Sequence, residues 1–223
     1  MARRFLITGT DTGVGKTTIG CALGFAMKAR GMRVGVMKPA ETGCAELADG
    51  TLEPADARAL ALSAACAIQL DTIAPYRYRS PLAPAAAADV DGFPAPDFAK
   101  LSEDFRSIQA ASDVVLVEGA GGITVPITWE RNYSDLAWLL DLETIVVIGN
   151  RLGCLNAAIL TLNYAASRGL KITGYILNDV EPAESPAAQT NEASLARLTH
   201  ERYLGRMRYR EPLAKSIVEK VLE

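Results

Sequence analysis

Histidine is almost absent from this chain of 223 residues: His200 is the only one, and it lies late in a polar segment. Catalysis built on an imidazole triad is set aside on that ground, and His200 reads as a plain surface residue. Cysteine is scarce and scattered. Cys21, Cys44, Cys66 and Cys154 form no C-x-x-C pair, so neither the usual zinc spacings nor a disulfide framework is expected. No apolar run approaches the ~20 residues that span a bilayer. The opening Met-Ala-Arg-Arg-Phe-Leu-Ile-Thr-Gly has too short an apolar stretch for a signal peptide and reads as a first strand. Charge of one sign is lacking too. A formal net charge of -3 gives no basic face, so neither nucleic acid nor membrane is expected as a partner, and a cytoplasmic setting is. Chemistry, if present, falls to lysines, carboxylates, hydroxyls, backbone amides or a metal.

The chain does have enough apolar residues, 49%, to bury a core without staples. Its apolar runs alternate with helical patterns. Strands are expected at 4–8, 33–38, 113–118, 144–149 and 171–178, and helices at 16–30, 55–67, 97–111 and 154–168. The runs Val-Val-Leu-Val and Ile-Val-Val-Ile are continuous, as in strands covered on both faces. The Pro/Ala-rich stretch 75–96 reads as a surface excursion, a lid or interface segment, and 181–190 as a loop. A helix at 191–199, a strand near 202–207 and a helix at 213–222 complete the pattern. The fold class is α/β: one domain over 1–223, a mostly parallel sheet with helices on both faces.

Chemistry concentrates where the first strand meets the first helix. Gly9-Thr-Asp-Thr-Gly-Val-Gly-Lys-Thr-Thr18 has the form of a phosphate-binding P-loop, with Thr10 at the place of the first glycine. Gly13 and Gly15 let backbone amides crowd an anion, and the helix beginning at Lys16 turns its free N–H groups the same way. Lys16 is suited to β- and γ-phosphates, and Thr17 to Mg²⁺. Glu118 ends a strong strand on the rim where open parallel sheets bind ligands, and offers a second metal ligand. Asp56, in the first turn of a helix, reads equally as a third ligand or as a carboxylate that only complements the dipole. Lys38 ends another strand on that rim. Two lysines and a metal around one crevice suit phosphoryl transfer to an anionic acceptor.

Taken together, Gly9–Thr17, Lys38-Pro with Thr42-Gly43, Val117-Glu-Gly-Ala-Gly-Gly122, Leu152-Gly-Cys-Leu-Asn156 and Asn178-Asp179 resemble the dethiobiotin synthetases, in order, over roughly residues 3–180. The resemblance implies a P-loop NTPase-like fold and a homodimer that uses Mg²⁺, ATP, CO₂ and 7,8-diaminopelargonate. It implies that Lys38 holds a substrate carbamate while Lys16 follows the transferring phosphoryl group. Thr17, Asp56 and Glu118 would hold Mg²⁺. Gly13, Val14, Gly15, Lys16, Thr17, Thr18, Gly119, Ala120 and Gly121 would surround the nucleotide phosphates, and Thr12 and Thr42 the reacting end of the diamine. Asn178 and Asp179 would meet the base, framed by Arg208 and Tyr209. Gly153, Cys154 and Asn156 would reach the substrate's distant carboxylate from the other subunit; by residue type alone that stretch is a normal helix start. Arg208 departs from the family, which often has proline there, and Thr42 stands where some relatives have serine.

Three rivals remain. A dimeric partition- or septum-type switch ATPase usually carries a lysine where this chain has Asp11. An amidotransferase-type synthetase would need an appended glutaminase domain. A silent nucleotide-binding subunit would not be expected to keep both lysines and both carboxylates.

Overall fold

The structure, a computed structural model, describes residues 2–183 and 185–223. In chain order its elements are β1 (Arg3–Gly9), α1 (Lys16–Ala29), β2 (Val34–Met37), β3 (Ala40–Thr42), β4 (Ala45–Glu46), β5 (Leu52–Glu53), α2 (Ala55–Ala64), α3 (Leu70–Ile73) and β6 (Tyr76–Tyr78). They continue as α4 (Pro84–Asp91), α5 (Phe98–Ala110), β7 (Val114–Gly122), α6 (Tyr133–Leu139), β8 (Glu143–Gly149) and α7 (Cys154–Ser167). Last come β9 (Ile172–Asn178), α8 (Pro186–Leu198), β10 (Tyr203–Met207) and α9 (Lys215–Leu222).

A six-stranded sheet in the order β10-β9-β8-β1-β7-β2 runs through the middle, and its neighbouring strands all pair in parallel. Side chains alternate across it, as the strand period demands. Phe5 and Ile7 face a layer built from Ile19, Leu23 and Met27 of α1, Leu60 of α2 and Val218 of α9. Leu6 faces the opposite layer, with Leu101 and Phe105 of α5 and Leu136 of α6. Farther along, Val146 and Leu177 meet Ala158 and Leu162 of α7 and Leu195 of α8 on that second side. The parallel sheet with helices on both faces is therefore as expected. Helices α1 and α2 pack closely: a Cβ at Gly20 would stand 2.7 Å from Leu60 Cδ2.

Two expectations need correction. The stretch 75–96 is more than a surface excursion. β6 pairs with β3, and Tyr78, Ala87 and Ala88 close a small buried cluster on Ala40. The supposed loop 181–190, of which Glu184 lies outside the described residues, gives way to α8 at Pro186 rather than at 191. Two prolines suggested a break, but proline suits the first turn of a helix. Here Ser185 is the N-cap, its hydroxyl accepting from the Ala188 N–H. His200 is exposed and the cysteines are free thiols.

Candidate active site

The C-terminal ends of β1, β2 and β7 open onto one cavity of about 540 Å³. Between β1 and α1 the chain turns through Gly13, at φ 73°, and Gly15, at φ 91°, both left-handed. Gly15 is required twice over. A Cβ there would lie 2.1 Å from Asn178 Nδ2, which reaches from β9 to donate to the Val14 carbonyl at 2.9 Å. Lys16 arches back and donates to the Asp11 carbonyl oxygen at 3.0 Å. Burial, helped by the charge of Lys38, lowers the Lys16 ammonium below the ordinary lysine value.

Lys38 follows β2 directly and is only 3% exposed. Its Nζ donates to Asp56 Oδ2 at 2.8 Å and to Glu118 Oε1. Burial alone would push this ammonium down; the two carboxylates outweigh that, and it is held above the usual lysine value. Asp56 shows the mirror image: burial works to raise its carboxyl, but contact with Lys38 brings it below the usual range. The Thr17 hydroxyl donates to Glu118 Oε1 at 2.8 Å. Glu118 Oε2 is buried with no hydrogen-bond partner among the described residues. Thus Lys16, Thr17, Lys38, Asp56 and Glu118, picked from four separate stretches of sequence, come together in one cluster. Thr12, Gly13, Thr18, Thr42, Ala120 and Gly121 line the same cavity. Gly119 lies against the Tyr133 ring, 3.3 Å from its would-be Cβ to Cδ1.

Beyond the phosphate loop a smaller recess, about 150 Å³, lies between the ends of β8, β9 and β10. Asp179, Arg208 and Tyr209 line it together with Asn150. Asn150 Nδ2 donates to Asp179 Oδ1 at 2.7 Å, Asn191 Nδ2 donates to Asn150 Oδ1 at 2.9 Å, and Arg206 pairs with Asp179. Asn178 spends its side-chain amide on the loop, as described, rather than on this recess. Gly153, Cys154 and Asn156 stand apart from both cavities. Gly153 caps α7 at φ 89°, Cys154 is buried in the layer below it, and Asn156 is exposed.

Sequence reasoning missed Glu41, Asn150, Asn191 and Arg206. Asn150 was within reach, because it follows the apolar run of β8 as Glu118 follows that of β7, a strand that continues to Gly122 rather than stopping at 118. Glu41 gave no local sign: its partners are the backbone N–H groups of Asp56 and Ala57, at 2.8 and 3.0 Å. Burial raises its carboxyl even though both of those bonds pull it down.

Comparison with known proteins agrees with this architecture. A family model described as an AAA domain matches residues 3–216. Among solved structures, the cell division ATPase MinD of Pyrococcus furiosus superposes with a TM-score of 0.57 at 17% identity, covering 100% of this chain and 99% of that one, which is a likeness of fold alone. Sequence relatives are far nearer. The ATP-dependent dethiobiotin synthetase of Anaeromyxobacter sp. (strain K) is 41% identical over 212 residues, covering 95% of this chain and 88% of its own. That of Pseudomonas aeruginosa (strain UCBPP-PA14) is 39% identical over 204 residues, covering 91% and 88%. At that identity and coverage, the chain belongs to the ATP-dependent dethiobiotin synthetase family.

Proposed function

We propose that this chain converts 7,8-diaminopelargonate, CO₂ and ATP into dethiobiotin, ADP and phosphate in the cavity around Lys38. The observation that carries this is the buried cluster itself, two lysines facing two carboxylates and a threonine at the mouth of a P-loop. One amine of the substrate adds to CO₂ and becomes a carbamate, losing a proton. A carbamate oxygen attacks the γ-phosphorus and ADP leaves. The second amine then attacks the carbonyl carbon of the resulting carbamic–phosphoric anhydride, expels phosphate and closes the cyclic urea. Anionic oxygens gather charge at each step, and fixed cations stabilise that charge most where water is excluded. Lys38, at the end of β2, is suited to hold the carbamate. Lys16 is suited to follow the phosphoryl group, while N–H groups from Gly13 to Thr18 cradle the phosphates. Thr12 and Thr42 flank the reacting amines. Asp179, Arg208 and Tyr209 serve the base, with Asn178 bracing the loop between.

Thr17, Asp56 and Glu118 are hard oxygen donors of the kind Mg²⁺ takes alongside phosphate oxygens. The partnerless Glu118 Oε2 fits that role, since a buried carboxylate oxygen without a donor is costly unless a cation answers it. These three residues would hold the ion, and when bound it offsets charge on the β- and γ-phosphates. A homodimer is part of the proposal. Support comes from exposed Trp138 and Leu139 on α6 and exposed Leu152 and Leu160 around α7. These helices adjoin through Asp135 and Arg168. Gly153, Cys154 and Asn156 would then serve a partner's cavity. ATP as a substrate supports a cytoplasmic setting.

The test is incubation with Mg²⁺, ATP, bicarbonate and the diamine, following dethiobiotin by mass spectrometry, with CTP and GTP in parallel. Product that requires both bicarbonate and diamine is expected. ATP hydrolysis indifferent to the diamine, without product, would refute the proposal in favour of a switch ATPase.

A further inference from the structure

Glu41 stands inside the cavity wall yet takes no part in the chemistry above. The residue is 5% exposed, and each carboxylate oxygen is committed, Oε1 to the Asp56 N–H and Oε2 to the Ala57 N–H. Those are first-turn donors of α2, which every helix leaves without intrahelical partners. No local residue caps them, because the N-cap position holds Pro54, which has no side-chain acceptor. A carboxylate brought there from another strand makes charge-assisted bonds and also meets the favourable end of the helix dipole. The strand that brings it is itself pinned. β3 pairs with β6, and Ala40, its first residue, is buried against Tyr78, Ala87 and Ala88. Asp56 therefore hangs by its own backbone from a rigid peg, with its side chain free to face Lys38.

We propose that Glu41 is a positioning residue acting through Asp56: by gripping the first turn of α2 it sets the Asp56 carboxylate against Lys38 and the proposed Mg²⁺ ligands. It serves the reaction proposed above, on which this inference rests. Its substitution loosens the metal site without touching substrate. Glu41→Gln keeps the shape but turns an amide NH₂ toward a backbone N–H, so one of the two bonds is lost.

The measurement is Mn²⁺ binding to the full chain in the presence of ADP, read by electron paramagnetic resonance. It is made on wild type, Glu41→Gln, Asp56→Asn and the double variant. Asp56→Asn, which removes a proposed ligand, is expected to weaken Mn²⁺ about tenfold or more, and Glu41→Gln, which removes that ligand's outer-sphere support, on the order of tenfold. In the Asp56→Asn background Glu41→Gln should add less than about twofold, because residues acting through one another are not additive. In turnover the half-saturating Mg²⁺ rises with it, while KM for the diamine stays within about twofold. Pro54→Ser supplies a local cap in place of the distant one. Combined with Glu41→Gln it should recover Mn²⁺ affinity along with thermal stability. Full multiplication of the two losses would overturn the proposal, as would a KM effect on the diamine with metal binding unchanged. So would recovery of stability without recovery of Mn²⁺ affinity. The Mn²⁺ measurement needs neither diamine nor CO₂. A chain that binds in this pattern but forms no dethiobiotin would refute the reaction and keep the link between Glu41 and Asp56.

Discussion

At the proposed reacting end of the site Lys38 is buried between Glu118 and Asp56, and every member of the cluster carries charge or touches one that does. At the proposed base end, by contrast, the recess is braced largely by amides: Asn150 to Asp179, Asn191 to Asn150, Asn178 to the loop. The difference sets how each end fails. Removing one partner from a buried charged set leaves the others uncompensated, a loss far larger than the bond itself. Removing one amide there, with the Arg206–Asp179 ion pair left in place, costs a hydrogen bond and some desolvation, about 1–3 kcal/mol. Chemistry should therefore break at one end and affinity at the other.

The strongest test of that contrast is Lys38→Ala. It should lower dethiobiotin formation on the order of 10²–10³-fold, with nucleotide affinity changed by no more than about threefold, measured by product mass spectrometry and a nucleotide titration. Near-wild-type turnover would remove Lys38 from its role. Next, Glu118→Gln should raise the Mg²⁺ needed for half-maximal turnover by about tenfold or more; an unchanged requirement would move the metal elsewhere. Asn150→Ala probes the other end. There KM for the nucleotide should rise about three- to tenfold with kcat nearly constant, and a fall in kcat of the same size would erase the distinction. The smallest effect belongs to a pair outside the site. Asp113, bonded to the Arg33 side chain, has its carboxyl held down at about 2. A depressed carboxyl stabilises the fold above its unfolded value and loses that contribution as pH falls through the folded one. Asp113→Asn should thus melt slightly below wild type at neutral pH. The gap in Tm should close as the pH approaches 2, as followed by circular dichroism.

The same contrast explains what could be read from the sequence. The phosphate loop was legible because strand, glycine turn and helix are consecutive, and Lys38 and Glu118 because each follows an apolar run toward the same rim, although β7 continues past Glu118 to Gly122. Asp56 stayed ambiguous, since a carboxylate in a first turn suits a helix dipole as well as a metal; its contact with Lys38 could not be read from the sequence. Glu41 was beyond local rules, because it caps a helix fifteen residues away. The helix α6 was passed over although Asn132 and Asp135 form a capping box at its start; seven residues carry too little periodicity to register. The 75–96 segment misled in another way. Alanine and proline read as loop composition, yet small alanines are what let α4 close on Ala40 and Tyr78.

The position of β1 in the sheet also governs how the protein comes into being. This strand precedes both of its neighbours in the chain yet lies between them, with Arg3 beside Val114 of β7 and Phe5 beside Glu143 of β8. During synthesis it must wait, exposed and unpaired, until β7 has emerged. The phosphate loop waits longer still, for Asn178 to arrive and latch Val14. Folding of this kind closes long loops before it gains native contacts, which makes it slow and leaves the apolar Phe-Leu-Ile of β1 exposed to association in the meantime.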